Sequence, residues 1–177
     1  MAGKGDPDGR EVVSLADAAK QLLEECRMVL PGIQALFGFQ LVAVFETPFP
    51  KLLTTAEQQL HLVALGLVAL AAALVMTPAA YHRQTCPREV TAGFVRLSGR
   101  LLLAGLVPLA VGVTIDFYLI ARVVLGSGWA AAPAVALFGA YAALWWVLPR
   151  SAALRRAVGD PERPEPAAGH PPTRITV

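Results

Sequence analysis

The sequence is poor in charged residues, which make up 16% of its 177 positions, against about 25% in an average soluble domain. Hydrophobic residues make up 55%, and the mean hydropathy is +0.54. Because these residues are gathered in long uninterrupted runs, a disordered chain is excluded and a soluble globule is disfavoured. The composition therefore predicts an integral membrane protein.

Other features that the sequence lacks narrow the range of possible functions. Two cysteines exclude a disulfide-rich scaffold, and a net charge of +2 predicts no nucleic-acid partner. The sequence has no H-E-x-x-H motif, no G-x-S-x-G motif and no phosphate-binding P-loop, so we expect no enzyme and no cofactor. Cys26, His82 and Cys86 offer few ligands for a zinc ion, which needs three or four converging groups. We therefore expect no metal site.

Four segments are long enough and apolar enough to cross a bilayer as helices, which takes about 20 residues. Residues 62–76 carry no polar side chain on any face, unlike a helix of a soluble bundle. The predicted fold is all-α: an integral membrane four-helix bundle with a cytoplasmic N-terminal amphipathic helix and a disordered C-terminal tail. The predicted spans are residues 28–45, 60–80, 101–121 and 129–148, which together define a membrane domain over 28–148.

The segments outside the spans are polar or rich in proline. Residues 1–10 are predicted to be disordered. Residues 11–27 place apolar side chains on one helical face, which favours a short helix at the membrane interface before Pro31. A helix that binds the membrane surface or a partner is the alternative. The tail, residues 149–177, is predicted to be disordered from about residue 159, where prolines accumulate.

The distribution of Lys and Arg predicts the orientation. Thirteen of the fifteen lie in residues 1–27, 81–100 and the tail, and only Lys51 and Arg122 lie in the other two connections. Because positive residues are retained on the cytoplasmic side, we expect both termini to be cytoplasmic in a bacterial cell membrane.

Asp116 is the one acid within the predicted third span. An ionised Asp at a helix centre costs about 2.5–3.5 kcal/mol, so such residues usually face the bundle interior. At about 100° per residue, Gly105 and Gly112 share the helix face of Asp116, and another helix can approach closely there. Gln40 lies at a similar depth in the first span, and His61 lies nearer to the same membrane surface. These three residues form the candidate polar site.

Three interpretations of Asp116 remain open from sequence. It can line a proton or cation path with Gln40 and His61, make one interhelical hydrogen bond, or extend to the outer surface. In the fourth span, small residues at Ala132, Ala136 and Ala140 predict close helix packing. Packing within the chain is expected, and self-association through the same face is the alternative.

The segment EECRMVLPGIQALFGFQLVAVF leads into the first span, TPAAYHR ends the second, TIDFYLI surrounds Asp116, and WWVLP closes the fourth. With these motifs the chain resembles a family of small bacterial integral membrane proteins classed as a domain of unknown function. The resemblance covers Glu24 to Pro149, and its most specific part contains Arg27, Pro31, Gly32 and Gln34. It implies a four-helix membrane domain and no established activity, although some members carry a sodium/proton antiporter label.

The sequence as a whole favours a non-enzymatic membrane component that packs with itself or with a membrane-protein partner in the lipid bilayer. A small cation or proton transport protein that uses Asp116 is the alternative.

Overall fold

The computed structural model describes residues 14–85, 91–126 and 128–151, and every regular element in these ranges is helical. The all-α prediction is confirmed. Four helical stretches have the length and composition of membrane spans: Leu15–Phe45, Thr55–Gln84, Ala92–Leu125 and Ala131–Arg150. The helices are α1 (Leu15–Phe45), α2 (Phe49–Leu52), α3 (Thr55–Thr85), α4 (Ala92–Leu125) and α5 (Ala131–Ala142).

These five helices belong to one compact unit, residues 12–142. The chain that follows α5 belongs to a second unit and is described by itself. It forms a π-helical turn over Ala143–Val147 and a 3-10 turn over Leu148–Arg150. The predicted disordered segments, residues 1–10 and the tail from about 159, lie outside the described residues.

Helix α1 is continuous through the point where the sequence predicts a boundary. Ser14 caps its first turn, since the hydroxyl accepts from the Asp17 N–H at 3.2 Å. The helix then passes through Pro31 without ending, so the predicted helix, from Leu15 onward, and the span at 28–45 form one 31-residue element. The reason is a common buried face that recurs every seven residues on both sides of the proline: Ala19, Cys26, Ile33 and Gln40.

Helices α3 and α4 pack along a regular antiparallel interface, which we call the α3–α4 seam. Gly105 and Gly112 of α4 both face α3. A Cβ atom at Gly112 would lie 3.0 Å from Val68 Cγ2 and 3.1 Å from the backbone oxygen of Ala64. These glycines therefore set how closely the two helices approach. The buried positions of α3 follow one another at alternating intervals of four and three residues: Glu57, His61, Ala64, Val68, Ala71, Val75 and Pro78.

The small residues of α5 do not pack as expected. Ala132, Ala136 and Ala140 are exposed, so the prediction that they pack within the chain is wrong. The buried alanines are Ala130 and Ala134, two positions away and thus on the opposite side of the helix. Alanines at every second position from 130 to 136 give this part of the chain two narrow faces, and the one with Ala130 and Ala134 is buried.

The seam makes a prediction for Gly112→Ala. The added methyl group has no room against Ala64 and Val68, so we expect a loss of about 1–3 kcal/mol of stability. Thermal unfolding in detergent micelles measures the loss. The matched control is Gly99→Ala on the same helix, where nothing lies within 4 Å of the new Cβ, and stability should be retained. Equal unfolding temperatures for the two variants would contradict the role of the seam.

Candidate functional site

Asp116, His61 and Gln40 come together at one end of the bundle. Asp116 Oδ1 lies 2.9 Å from His61 Nδ1, and Asp116 Oδ2 accepts a hydrogen bond from Gln40 Nε2. The other ring nitrogen of His61, Nε2, lies 3.1 Å from the backbone oxygen of Gln40. We call these three residues the polar cluster. It joins three helices, and it contains each residue that the sequence placed in a candidate polar site.

The repeating pattern of buried positions on the helices explains why the residues of the polar cluster meet. Gln40 continues the buried face of α1, and His61 occupies a buried position of the α3–α4 seam. Asp116 follows Gly112 by one helical turn on α4, so its carboxylate reaches the space between α1 and α3. The side chains of His61 and Asp116 are 8% and 15% exposed. The Phe49 ring of α2 packs edge-on against the imidazole at 5.3 Å between ring centroids.

The hydrogen-bonding capacity of His61 limits the protonation states that satisfy both of its contacts. Both ring nitrogens face an oxygen: the Asp116 carboxylate on one side and the Gln40 carbonyl on the other. A carbonyl and an ionised carboxylate only accept, and a neutral imidazole has one N–H to give. Both contacts are satisfied if His61 is an imidazolium, or if Asp116 is protonated and donates to Nδ1. Either arrangement holds one proton beyond neutral His61 and ionised Asp116, with zero net charge.

A cavity of about 430 Å³ adjoins the polar cluster. Its volume is within the range of about 300–1,000 Å³ that is usual for small-molecule sites. Ten of its fourteen lining residues are apolar, and the polar ones are Gln40, Glu46, His61 and Asp116. Phe39 and Ile120 line it although they are 75% and 60% exposed, so the cavity opens at the surface of the bundle.

An ion pair lies at the same end of the seam. Arg122 Nε pairs with Glu57 Oε1, and Glu57 Oε2 accepts from the backbone and hydroxyl of Thr54 at 2.8 and 2.7 Å. Glu57 thus caps the first turn of α3 and ties it to the last turn of α4. Sequence reasoning missed this pair, because Glu57 and Arg122 lie on different helices and far apart in the chain. The Thr-x-x-Glu capping pattern at Thr54 was the available signal.

Of the three residues weighed as zinc ligands, the structure describes Cys26 and His82. Cys26 is buried as a free thiol among apolar side chains, and Cys86 lies outside the described residues. The ring of His82 packs near Phe94 at 5.5 Å between centroids. In the described ranges, no group of three or more His, Cys, Asp or Glu residues converges as metal ligands would.

Four apolar helices, three of which meet at a small polar cluster, define a multi-pass α-helical membrane protein. The chain belongs to the family of unknown function DUF6328, whose model matches residues 15–149. This match includes α1 to α5 and therefore the complete polar cluster. Comparison with curated proteins and with solved structures gave no match.

Proposed function

We propose that the protein is a small, non-enzymatic membrane transport protein that exchanges a proton for a cation at the Asp116–His61 pair. The observation that carries this proposal is the position of the His61 ring between two acceptor oxygens. In this proposal the pair holds one exchangeable proton among apolar helices, where ionisable residues commonly serve transport. Because the protonated pair is neutral, the proton can be exchanged for a cation without leaving net charge in the site.

The apolar interior of the α3–α4 seam favours a carrier mechanism over a channel. Between His61 and His82 the buried positions of α3 are all apolar: Ala64, Val68, Ala71, Val75 and Pro78. A channel needs a wetted path, whereas a carrier moves its packed helices to open one side at a time. We therefore expect turnover that saturates with cation concentration.

We further propose that α2 lies on the outer side of a bacterial cell membrane, with both termini cytoplasmic, because Lys and Arg are concentrated at the other ends of the helices. A cysteine introduced at residue 127, in a variant without Cys26 and Cys86, should then react with an impermeant thiol reagent in intact cells. Labelling that requires permeabilised cells would reverse the orientation.

The transport proposal predicts that Asp116→Asn abolishes coupled flux. Asparagine keeps the size and hydrogen-bonding capacity of the side chain and removes its proton exchange. In proteoliposomes that contain a pH-sensitive dye, an imposed sodium or potassium gradient should move protons with the wild type and not with Asp116→Asn. Asp116→Glu, which keeps a carboxyl group, should retain part of the flux.

The matched control for this experiment is Glu57→Gln. It neutralises another buried acid at the same end, one whose partners are Thr54 and Arg122. We expect the control to retain proton movement, and size-exclusion profiles show whether each variant is folded. Equal flux in wild type and Asp116→Asn, or none from well-folded wild type, would contradict the proposal.

A second candidate function is a membrane interaction component. The observation that favours it is the exposed row of Ala132, Ala136 and Ala140, since small residues allow the close approach of another helix. The double substitution Ala136→Leu and Ala140→Leu should then reduce crosslinking between copies in membranes. A substitution at Ala134 would disturb the packing of the bundle, because this residue is buried. The control is therefore Val135→Leu, at an exposed position that already carries a branched side chain. Unchanged crosslinking in the double variant would remove this candidate.

A further inference from the structure

We propose that the cavity beside the polar cluster binds a lipophilic amine, a hydrocarbon-bodied molecule with a protonated N–H head, in exchange for the proton of the Asp116–His61 pair. This inference names the substrate class of the proposed exchanger and thus rests on the proposed function. Three properties of the cavity carry it: the charge of its lining, one unused acceptor, and the balance of protons.

The charge of the lining selects a cation. Two carboxylates, Asp116 and Glu46, line the cavity, and the residues described around it include no Lys or Arg. The rest of the lining is apolar apart from Gln40 and His61. The apolar walls add nothing to the binding of a small metal cation, whereas a hydrocarbon body gains about 25 cal/mol for each Å² removed from water. An amphiphilic cation satisfies both parts of the lining.

The amide of Gln40 supplies an unused acceptor. Gln40 is 5% exposed, and its Nε2 is engaged with Asp116. The other amide atom, Oε1, is buried and has no hydrogen-bond partner. A buried acceptor without a donor is costly, and an ammonium head provides donors and no acceptor. The head group is thus expected to donate to Gln40 Oε1 and to Asp116 at once.

The exchange balances in protons and charge. Before binding, His61 and Asp116 share one extra proton, and the pair is neutral. When an ammonium binds, that proton leaves to water, His61 becomes neutral and Asp116 becomes a carboxylate that pairs with the ligand. The site holds zero net charge before and after the exchange, which low-dielectric surroundings favour. No bond other than those to the transferred proton is made or broken.

Other ionisable groups at this end of the bundle are already accounted for. Glu57 is paired with Arg122 and capped by Thr54, so it offers the ligand no free charge. Lys51 of α2 is exposed and does not line the cavity. Glu46, at the C-terminal end of α1, is the one remaining acid on the cavity wall. It raises the local concentration of cations without taking part in the proton exchange.

The test measures proton release from the full-length protein in lipid nanodiscs. The probe is n-octylamine, which, like a lysine side chain, stays protonated up to about pH 10 and so releases no proton of its own near neutrality. Binding should release about one proton per amine bound, as the balance above requires. The neutral analogue n-octanol should release none, and empty nanodiscs correct for partition into lipid.

Variants connect the signal to named atoms. Asp116→Asn should release no proton, and Asp116→Glu should still release one, which separates the chemistry from misfolding. Gln40→Leu should weaken octylamine binding about tenfold, the usual loss for one hydrogen bond to a charged group. The control is Gln34→Leu, an exposed glutamine of the same helix outside the cavity lining, which should bind as the wild type does.

The outcomes separate this inference from the transport proposal. The inference is overturned if octylamine releases no more protons than octanol does, or if wild type and Asp116→Asn release equal amounts. Sodium-driven proton flux together with no release by octylamine leaves the transport proposal standing and rejects the amine. Proton release by octylamine, without proton flux under a gradient of sodium, potassium or octylamine, supports the amine site and rejects transport.

Discussion

The close approach of α3 and α4 is the constraint on which the rest of the bundle depends. At Gly112 the two backbones are so near that a Cβ atom would lie 3.1 Å from a carbonyl oxygen of α3. In a membrane, where lipid tails are as apolar as leucine, such contact supplies packing energy that burial alone does not. The same approach carries His61 and Asp116 within hydrogen-bonding distance. The close packing at Gly112 and the contact between His61 and Asp116 therefore belong to one interface.

The packing of the helices brings the groups of the polar cluster into contact. Three helices each contribute one group, and the imidazole of His61 stands between two oxygens. The phenyl ring of Phe49 covers one edge of the imidazole, while the cavity leaves Asp116 partly accessible. A group that was fully enclosed could not exchange its proton, and a fully exposed one would lose it to water without control. Partial access beside apolar walls is what the proposed proton exchange requires.

Much of this arrangement was predictable, because the sequence alone gives the length of each apolar segment and the position of each polar residue along it. The membrane spans followed from their composition, and counting residues from helix ends placed Gln40 and Asp116 at one depth. The predicted spans were shorter than the observed helices. Helix α4, for example, begins at Ala92 and includes charged residues beyond the apolar run from which the span was predicted. The two faces of α5 could not be distinguished, because Ala134 and Ala136 offer the same size and polarity. The cavity was beyond prediction, since it depends on the short helix α2 folding over His61.

The pairing of charges across α3 and α4 has a consequence for how the chain is made. Helix α4 emerging alone would bring Asp116 into the bilayer uncompensated, at a cost of about 2.5–3.5 kcal/mol. Helix α3 alone would bring Glu57 without Arg122. If the two helices enter the bilayer together as a hairpin, Asp116 is already paired with His61 and Glu57 with Arg122. Biosynthesis is therefore expected to hold α3 beside the insertion machinery until α4 has been translated, so that the pair crosses into lipid as one unit.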